Sequence, residues 1–272
     1  AAGDAEDIDT AVAAAAGAFG AWSGLSAAAR GQLLCRFADV IAEHIEELAL
    51  LVTLEMGKPI SDAMNVEVAG AAAVFRYYGE VIDKIPGELP PTADGSVAMV
   101  RRVPLGVVGA VVPWNFPLDI AAWKVAPALA AGNTVVLKPA EESPLSVLRM
   151  AELAVEAGLP PGVFNVVPGL GATAGKALGL HPDVACLTFT GSTAVGKMFL
   201  SYSGESNMKQ VWLECGGKSP NLVLPDADLA SQLPAVAMGP LVNTGQSCIS
   251  PTKVLVHKDR AAEVVGFYKA MY

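Results

Sequence analysis

Gly106-Val107-Val108-Gly109-Ala110-Val111-Val112-Pro113-Trp114-Asn115-Phe116-Pro117 is the stretch on which the fold turns. An uncharged apolar run of strand length ends abruptly at two prolines, and a helical pattern starts at Leu118. The same texture repeats downstream. Candidate strands Val107 to Val112, Thr134 to Leu137, Val163 to Val167, Val184 to Phe189 and Gln210 to Leu213 alternate with helix-like runs. Those runs are Leu118 to Ala131, Pro144 to Ala157, Ala172 to Leu180 and Ala194 to Leu200. Strand–helix alternation predicts an α/β fold built on a doubly wound, mostly parallel sheet. Such sheets bind ligands beyond the carboxyl ends of their strands, so the residues just after each strand carry the weight.

Upstream the chain reads helical. Leu33, Leu34, Phe37, Val40, Ile41, Ile45 and Leu48 recur at helical spacing, opposite Arg36, Glu43, Glu46 and Glu47. A second amphipathic stretch follows Ser61 through Met64, Val66, Ala69, Val74 and Phe75. Pro86 to Ala93 is turn-rich, and Val97 to Val103 is expected to return from it as a strand, half of a protruding hairpin. There is no internal repeat, and the Ala-rich start is the one low-complexity stretch.

The 272 residues hold one large domain or two smaller ones. Lys+Arg 18 against Asp+Glu 27, a net charge of −9, argues against a sequence-independent grip on nucleic acid. A hydrophobic content of 53% raises the question of a membrane span. The longest uncharged run, Leu229 to Thr252, is broken by Gln, Asn, Ser, Thr and prolines, so none is expected. The start, Ala1-Ala2-Gly3-Asp4, has no basic region or apolar signal core, and a cytoplasmic location is expected of a chain trimmed at its start. Cys35, Cys186, Cys215 and Cys248 lie far apart and His44, His181 and His257 are scattered, so neither a disulfide framework nor a metal site is expected.

Five segments carry chemistry. Phe189-Thr190-Gly191-Ser192-Thr193-Ala194-Val195-Gly196-Lys197 follows a strand and opens a helix, where backbone N–H groups can meet an anion. As a phosphate loop of the nucleotide-triphosphatase kind it needs Ser or Thr after the Lys; Met198 stands there, and a thioether is a poor Mg²⁺ ligand. A plain helix cap and a dinucleotide pyrophosphate site both stay open. Cys248, in the Gly/Ser/Gln-rich loop Asn243 to Ser250 before a strand Lys253 to Val256, is either an inert small residue or a reachable nucleophile. Glu214 ends an apolar strand, on the surface or facing a cleft. Asn115, held between two prolines, is an Asx-type turn residue or a fixed amide donor. Lys138 and Glu141, three apart past a strand, are a solvated ion pair or a polar grip on a ligand.

Taken in order, these segments resemble the aldehyde dehydrogenase superfamily. The resemblance runs along the whole chain and rests on Pro113-Trp114-Asn115-Phe116-Pro117, Leu137-Lys138-Pro139-Ala140-Glu141, Phe189-Thr190-Gly191-Ser192-Thr193, Glu214-Cys215-Gly216-Gly217-Lys218-Ser219-Pro220 and Gly245-Gln246-Ser247-Cys248. It implies a Rossmann-like dinucleotide-binding domain at 1–85 and 105–215, an oligomerisation hairpin at 86–104, and the first part of a catalytic domain at 216–272. It implies a homo-oligomer, NAD as cofactor and a small aldehyde as substrate. Cys248 matches the family's nucleophile, Asn115 the oxyanion donor acting with the Cys248 backbone N–H, Glu214 the base that activates water, and Lys124 a supporting lysine. Lys138 and Glu141 match the pair that holds the adenosine ribose, and a carboxylate there disfavours the 2′-phosphate of NADP. Gly191 and Ser192 match the phosphate-contacting turn. Val112, Pro113, Trp114, Gly171, Gly175, Phe189 and Val195 match walls of the cofactor pocket. The stretch Ser206 to Glu214 also resembles members acting on γ-amino- or guanidino-butyraldehydes.

Two departures stand out. Cys215 replaces the Leu usual in the family. The family's chain also continues well past the nucleophile, so the catalytic domain is expected to be incomplete here, with association or marginal stability of the piece. Beside aldehyde oxidation, a catalytically inactive nucleotide-binding fragment is the second expectation.

Overall fold

The computed structural model describes residues 2–272, and the chain divides into two compact units, 1–214 and 215–272. The first unit opens with helices. The Ala-rich start is helix α1 (Ala5–Ser23), begun by a capping box in which the Asp4 carboxylate accepts the Glu6 N–H and Asp7 accepts the Asp4 N–H. Helices α2 (Ala27–Glu43) and α3 (Ile45–Met56) follow, and Gly57, at φ 80°, ends α3 in the left-handed conformation that glycine tolerates. The expected amphipathic stretch is then α4 (Ile60–Asp62), a π-helical turn Ala63–Val68 and α5 (Ala69–Val81).

The sheet lies downstream. Strands β1 (Val107–Val111), β2 (Thr134–Lys138), β3 (Phe164–Val166), β4 (Val184–Gly191) and β5 (Gln210–Cys215) stand in the order β3-β2-β1-β4-β5. The pairs β1–β2, β1–β4 and β2–β3 are parallel. Helices α6 (Pro117–Ala130), α7 (Leu145–Glu156), α8 (Lys176–Leu180, entered through a π turn Gly171–Gly175) and α9 (Thr193–Glu205) connect them. This is the doubly wound α/β fold that the alternation predicts. Every residue of β1 and β2 is buried, as a strand covered on both faces must be. The core joins Phe37, Ile41, Phe75, Leu118, Leu129, Leu137 and Met150 from helices and strands alike. Trp22 ties α1 to α6 by donating from its indole to the Leu129 carbonyl at 3.1 Å.

One expectation fails. Val97 to Val103 forms no strand, and the segment keeps a single antiparallel bridge, Glu88 with Val100. Val97, Met99 and Val103 are exposed, so no buried face holds a second pair in register. The second unit comprises β6 (Pro220–Val223) parallel to β7 (Lys253–Val256), with α10 (Leu229–Met238) and α11 (Ala261–Met271). Its small core is Val223, Leu229, Leu233 and Val264. Among the described residues no helix is long and apolar enough to cross a membrane.

Candidate active site

Strand register gathers the expected cofactor residues. Val111 pairs with Lys138 on one side and Phe189 on the other, and Leu137 pairs with Val166. The residues beyond these positions therefore leave the sheet along one edge: Val112, Pro113 and Trp114 after β1, Glu141 after β2, Ser192 and Val195 after β4. Gly171 and Gly175 follow β3, and the Gly171 N–H reaches the Glu141 carboxylate. A Cβ on Gly171 would meet open space, and Gly171 is exposed, whereas Gly175 is buried.

Lys138 and Glu141 are not a solvated pair. Lys138 Nζ donates to Glu141 Oε2 at 2.8 Å, with the Lys138 side chain 4% exposed and that of Glu141 41%. Burial works to raise the Glu141 pKa, but hydrogen bonds from Lys138 and from backbone N–H groups outweigh it and hold the carboxyl below its ordinary range. Gly191 is a fitted position, since a Cβ there would come within 2.5 Å of the Phe189 ring. Ser192 caps α9, its hydroxyl accepting the Val195 N–H at 3.3 Å. The first-turn N–H groups of Thr193 and Ala194 have no partner within the helix, and the first turn of α9 holds no acidic residue.

The turn bearing Asn115 is built differently. Pro117 is the first residue of α6, and no side chain of the turn itself caps the helix. The N–H groups of Leu118 and Asp119 donate instead to Glu67 Oε1, at 2.9 and 3.0 Å. Glu67, fully buried on the π turn before α5, gives its other oxygen to Lys58 Nζ, also buried. Lys58 Nζ in turn lies 3.9 Å from the centre of the Phe116 ring, close enough for a cation–π contact. The residues that follow Asn115 are therefore clamped. Sequence reasoning missed Lys58 and Glu67, because Glu67 occupies what reads as the polar side of an amphipathic helix.

Further along α6, Lys124 is buried and donates from Nζ to Thr188 Oγ1 on β4 at 3.0 Å. Burial pushes its pKa down to about 8, against the opposing pull of the Glu214 carboxylate. Lys124 and Glu214 thus share one electrostatic environment, with Glu214 exposed near the end of β5. In the second unit, Asn243, Thr244 and Gly245 stand in succession at φ 55°, 54° and 79°. Asn243 is buried and its amide donates to the Gln246 carbonyl at 3.1 Å. The Ser250 N–H returns to the Ser247 carbonyl at 3.1 Å, and Cys248 is held half-buried on that turn. Among the described residues no group of His, Cys, Asp and Glu is arranged to hold a metal ion.

The aldehyde dehydrogenase family model matches residues 1–272. The chain belongs to that family. It is 50% identical over 270 residues to the NADP/NAD-dependent aldehyde dehydrogenase PuuC of Escherichia coli, covering 98% of this chain and 54% of that protein. It is 49% identical over 261 residues to the aminoacetaldehyde dehydrogenase of Pseudomonas aeruginosa, covering 94% and 52%. The crystal structure of PnpE in complex with nicotinamide adenine dinucleotide superposes with a TM-score of 0.96 at 49% identity, over 100% of this chain and 55% of that one. The chain spans about half the length of the curated relatives it matches.

Proposed function

We propose that this chain carries the dinucleotide-binding part and the nucleophile of an enzyme that oxidises an aldehyde to a carboxylic acid with NAD. The observation behind this reading is the meeting, along one edge of the sheet, of the exposed Gly171 backbone, the Lys138–Glu141 pair and the start of α9, whose first turn holds no acidic residue. Those features suit the ribose and pyrophosphate of a dinucleotide. Glu141 accepts from ribose hydroxyls and repels a 2′-phosphate, which favours NAD over NADP. Val112, Pro113, Trp114, Phe189 and Val195 wall the cofactor, and Gly191 and Ser192 meet its phosphates.

The chemistry follows from the side chains. The Cys248 thiolate adds to the aldehyde carbon, and the Asn115 amide donates to the oxygen that becomes negative. Bound NAD supplies the hydride acceptor. Glu214 takes a proton from the water that attacks the resulting Cys248 thioester, releasing the acid and restoring the thiol. Lys124, near neutral in charge at mildly alkaline pH, supports Glu214 electrostatically. In the same reading, 1–85 and 105–215 form the dinucleotide-binding domain, 86–104 the oligomerisation segment of a cytoplasmic homo-oligomer, and 216–272 the first part of the catalytic domain.

The test is NADH formation from NAD and a panel of short aldehydes in the native-length protein, beside its Cys248→Ser form. Turnover lost in the variant, with NAD affinity retained by calorimetry, is the expected result. Equal turnover in both forms overturns the assignment of Cys248, and NAD binding without any turnover reduces the chain to a nucleotide-binding role.

A further inference from the structure

The Lys58–Glu67 ion pair is more than packing requires. Both side chains are 1% exposed or less, and two apolar side chains of similar volume would fill the same space without desolvating a charge. What apolar side chains cannot supply is direction, and the direction of this pair is used on a single turn. Glu67 Oε1 accepts the N–H groups of Leu118 and Asp119, and Glu67 Oε2 accepts from Lys58. The Lys58 ammonium in turn faces the Phe116 ring at 3.9 Å. Three of the four residues that follow Asn115 are thus tied to one buried unit, and the fourth, Pro117, fixes its own φ.

The turn has need of such a hold. Phe116 stands outside the helical range at φ −141° and ψ 70°, and its side chain makes no cap on α6. Without an acceptor from elsewhere the first turn of α6 would fray, and Asn115, one residue ahead of Phe116, would move with it. An amide that must meet a developing oxyanion works only from a fixed place. A displacement of about 1 Å is enough to lose about 100-fold in rate.

We propose that Lys58 and Glu67 are positioning residues for the reaction: buried away from substrate, they hold Asn115 where the oxyanion forms. This inference rests on the reading of Asn115 as the oxyanion donor, and its test separates the two. The rate of the first NADH turnover is measured by stopped flow at saturating NAD and propionaldehyde in the native-length protein. Lys58→Met with Glu67→Leu removes the pair and leaves no buried charge, so the fold is expected to tolerate it while the reaction does not. Lys58→Met with Glu67→Gln keeps an oxygen to accept the Leu118 and Asp119 N–H groups. Asn115→Ala alone should slow the first turnover about 100- to 1000-fold. The Met/Leu form should slow it about 10- to 100-fold with NAD affinity unchanged in calorimetry, and the Met/Gln form should recover part of that loss. Made on top of Asn115→Ala, the Met/Leu change should slow it less than about 2-fold further, because the group it positions is gone. A loss equally large with and without Asn115 makes the pair merely structural and overturns the proposal, as does a first turnover that ignores both pair variants. Should the Met/Leu form not fold, the Met/Gln form, with and without Asn115→Ala, decides in the same way. Asn115→Ala at the wild-type rate removes the oxyanion reading and this one with it.

Discussion

The turns after β1 and β4 leave neighbouring strands of one sheet at the same edge, and both lead into helices, yet they are finished in opposite ways. After β1, a buried carboxylate from a distant helix, Glu67, consumes the first N–H groups of α6. The turn after β2 is treated alike, since Glu55 accepts the Leu145 N–H at 2.7 Å and the Ser146 N–H at 3.3 Å at the start of α7. After β4, α9 begins on its own serine, with its first turn clear of acidic residues. Every helix start has the same attraction for anions. The contrast teaches that the fold spends that attraction on a borrowed carboxylate at two starts and leaves the third to its own serine cap.

The largest expected effect breaks the first arm of this comparison. Glu67→Leu leaves Lys58 buried without its partner and two N–H groups without an acceptor, and should cost about 3–5 kcal/mol of stability. Urea unfolding measures it, and a loss within about 1 kcal/mol of zero would show that α6 does not depend on the borrowed carboxylate.

Lys124 joins the two arms, reaching from α6 to Thr188 on β4, and sharpens the contrast through pH. Its pKa falls from 10.5 in the unfolded chain to about 8 in the folded one. Between those values the unfolded chain binds more protons, so this group adds stability as pH rises from about 8 to 10.5. Below about 8 it is charged in both states, and burying that charge costs about 3 kcal/mol. Lys124→Met should therefore be relatively more stable at pH 7 than at pH 10, by comparison of unfolding midpoints with wild type. An unchanged difference between the two pH values contradicts the depressed pKa. The smallest effect is at the open arm: Ser192→Ala should lose about 1 kcal/mol of helix capping and weaken NAD modestly in calorimetry.

Much of this was legible in the chain. Uncharged runs such as Val107 to Val112 can be strands only if both faces are covered, so the parallel sheet follows from them. The residues after the strands followed too, because Gly191 and Pro113 mark sharp turns wherever they occur. What escaped was non-local. Nothing in Met64 to Ala69 says that Glu67 turns inward, since its partners Lys58 and Leu118 are brought to it by packing of the π turn against α6. Lys138 looked solvated because a strand-end lysine beside a glutamate usually is; its burial depends on the neighbouring strands. Val97 to Val103 has the composition of a strand but lacks a covered face, and composition does not report that.

The Lys58–Glu67 pair also bears on how the sequence can change over time. Replacing either residue alone strands a buried charge, whereas replacing both by apolar side chains of similar volume is often neutral or better. Single steps away from the pair are therefore blocked while the double step is open. Drift at position 58 must wait for position 67, and the two behave as one inherited character split between two codons.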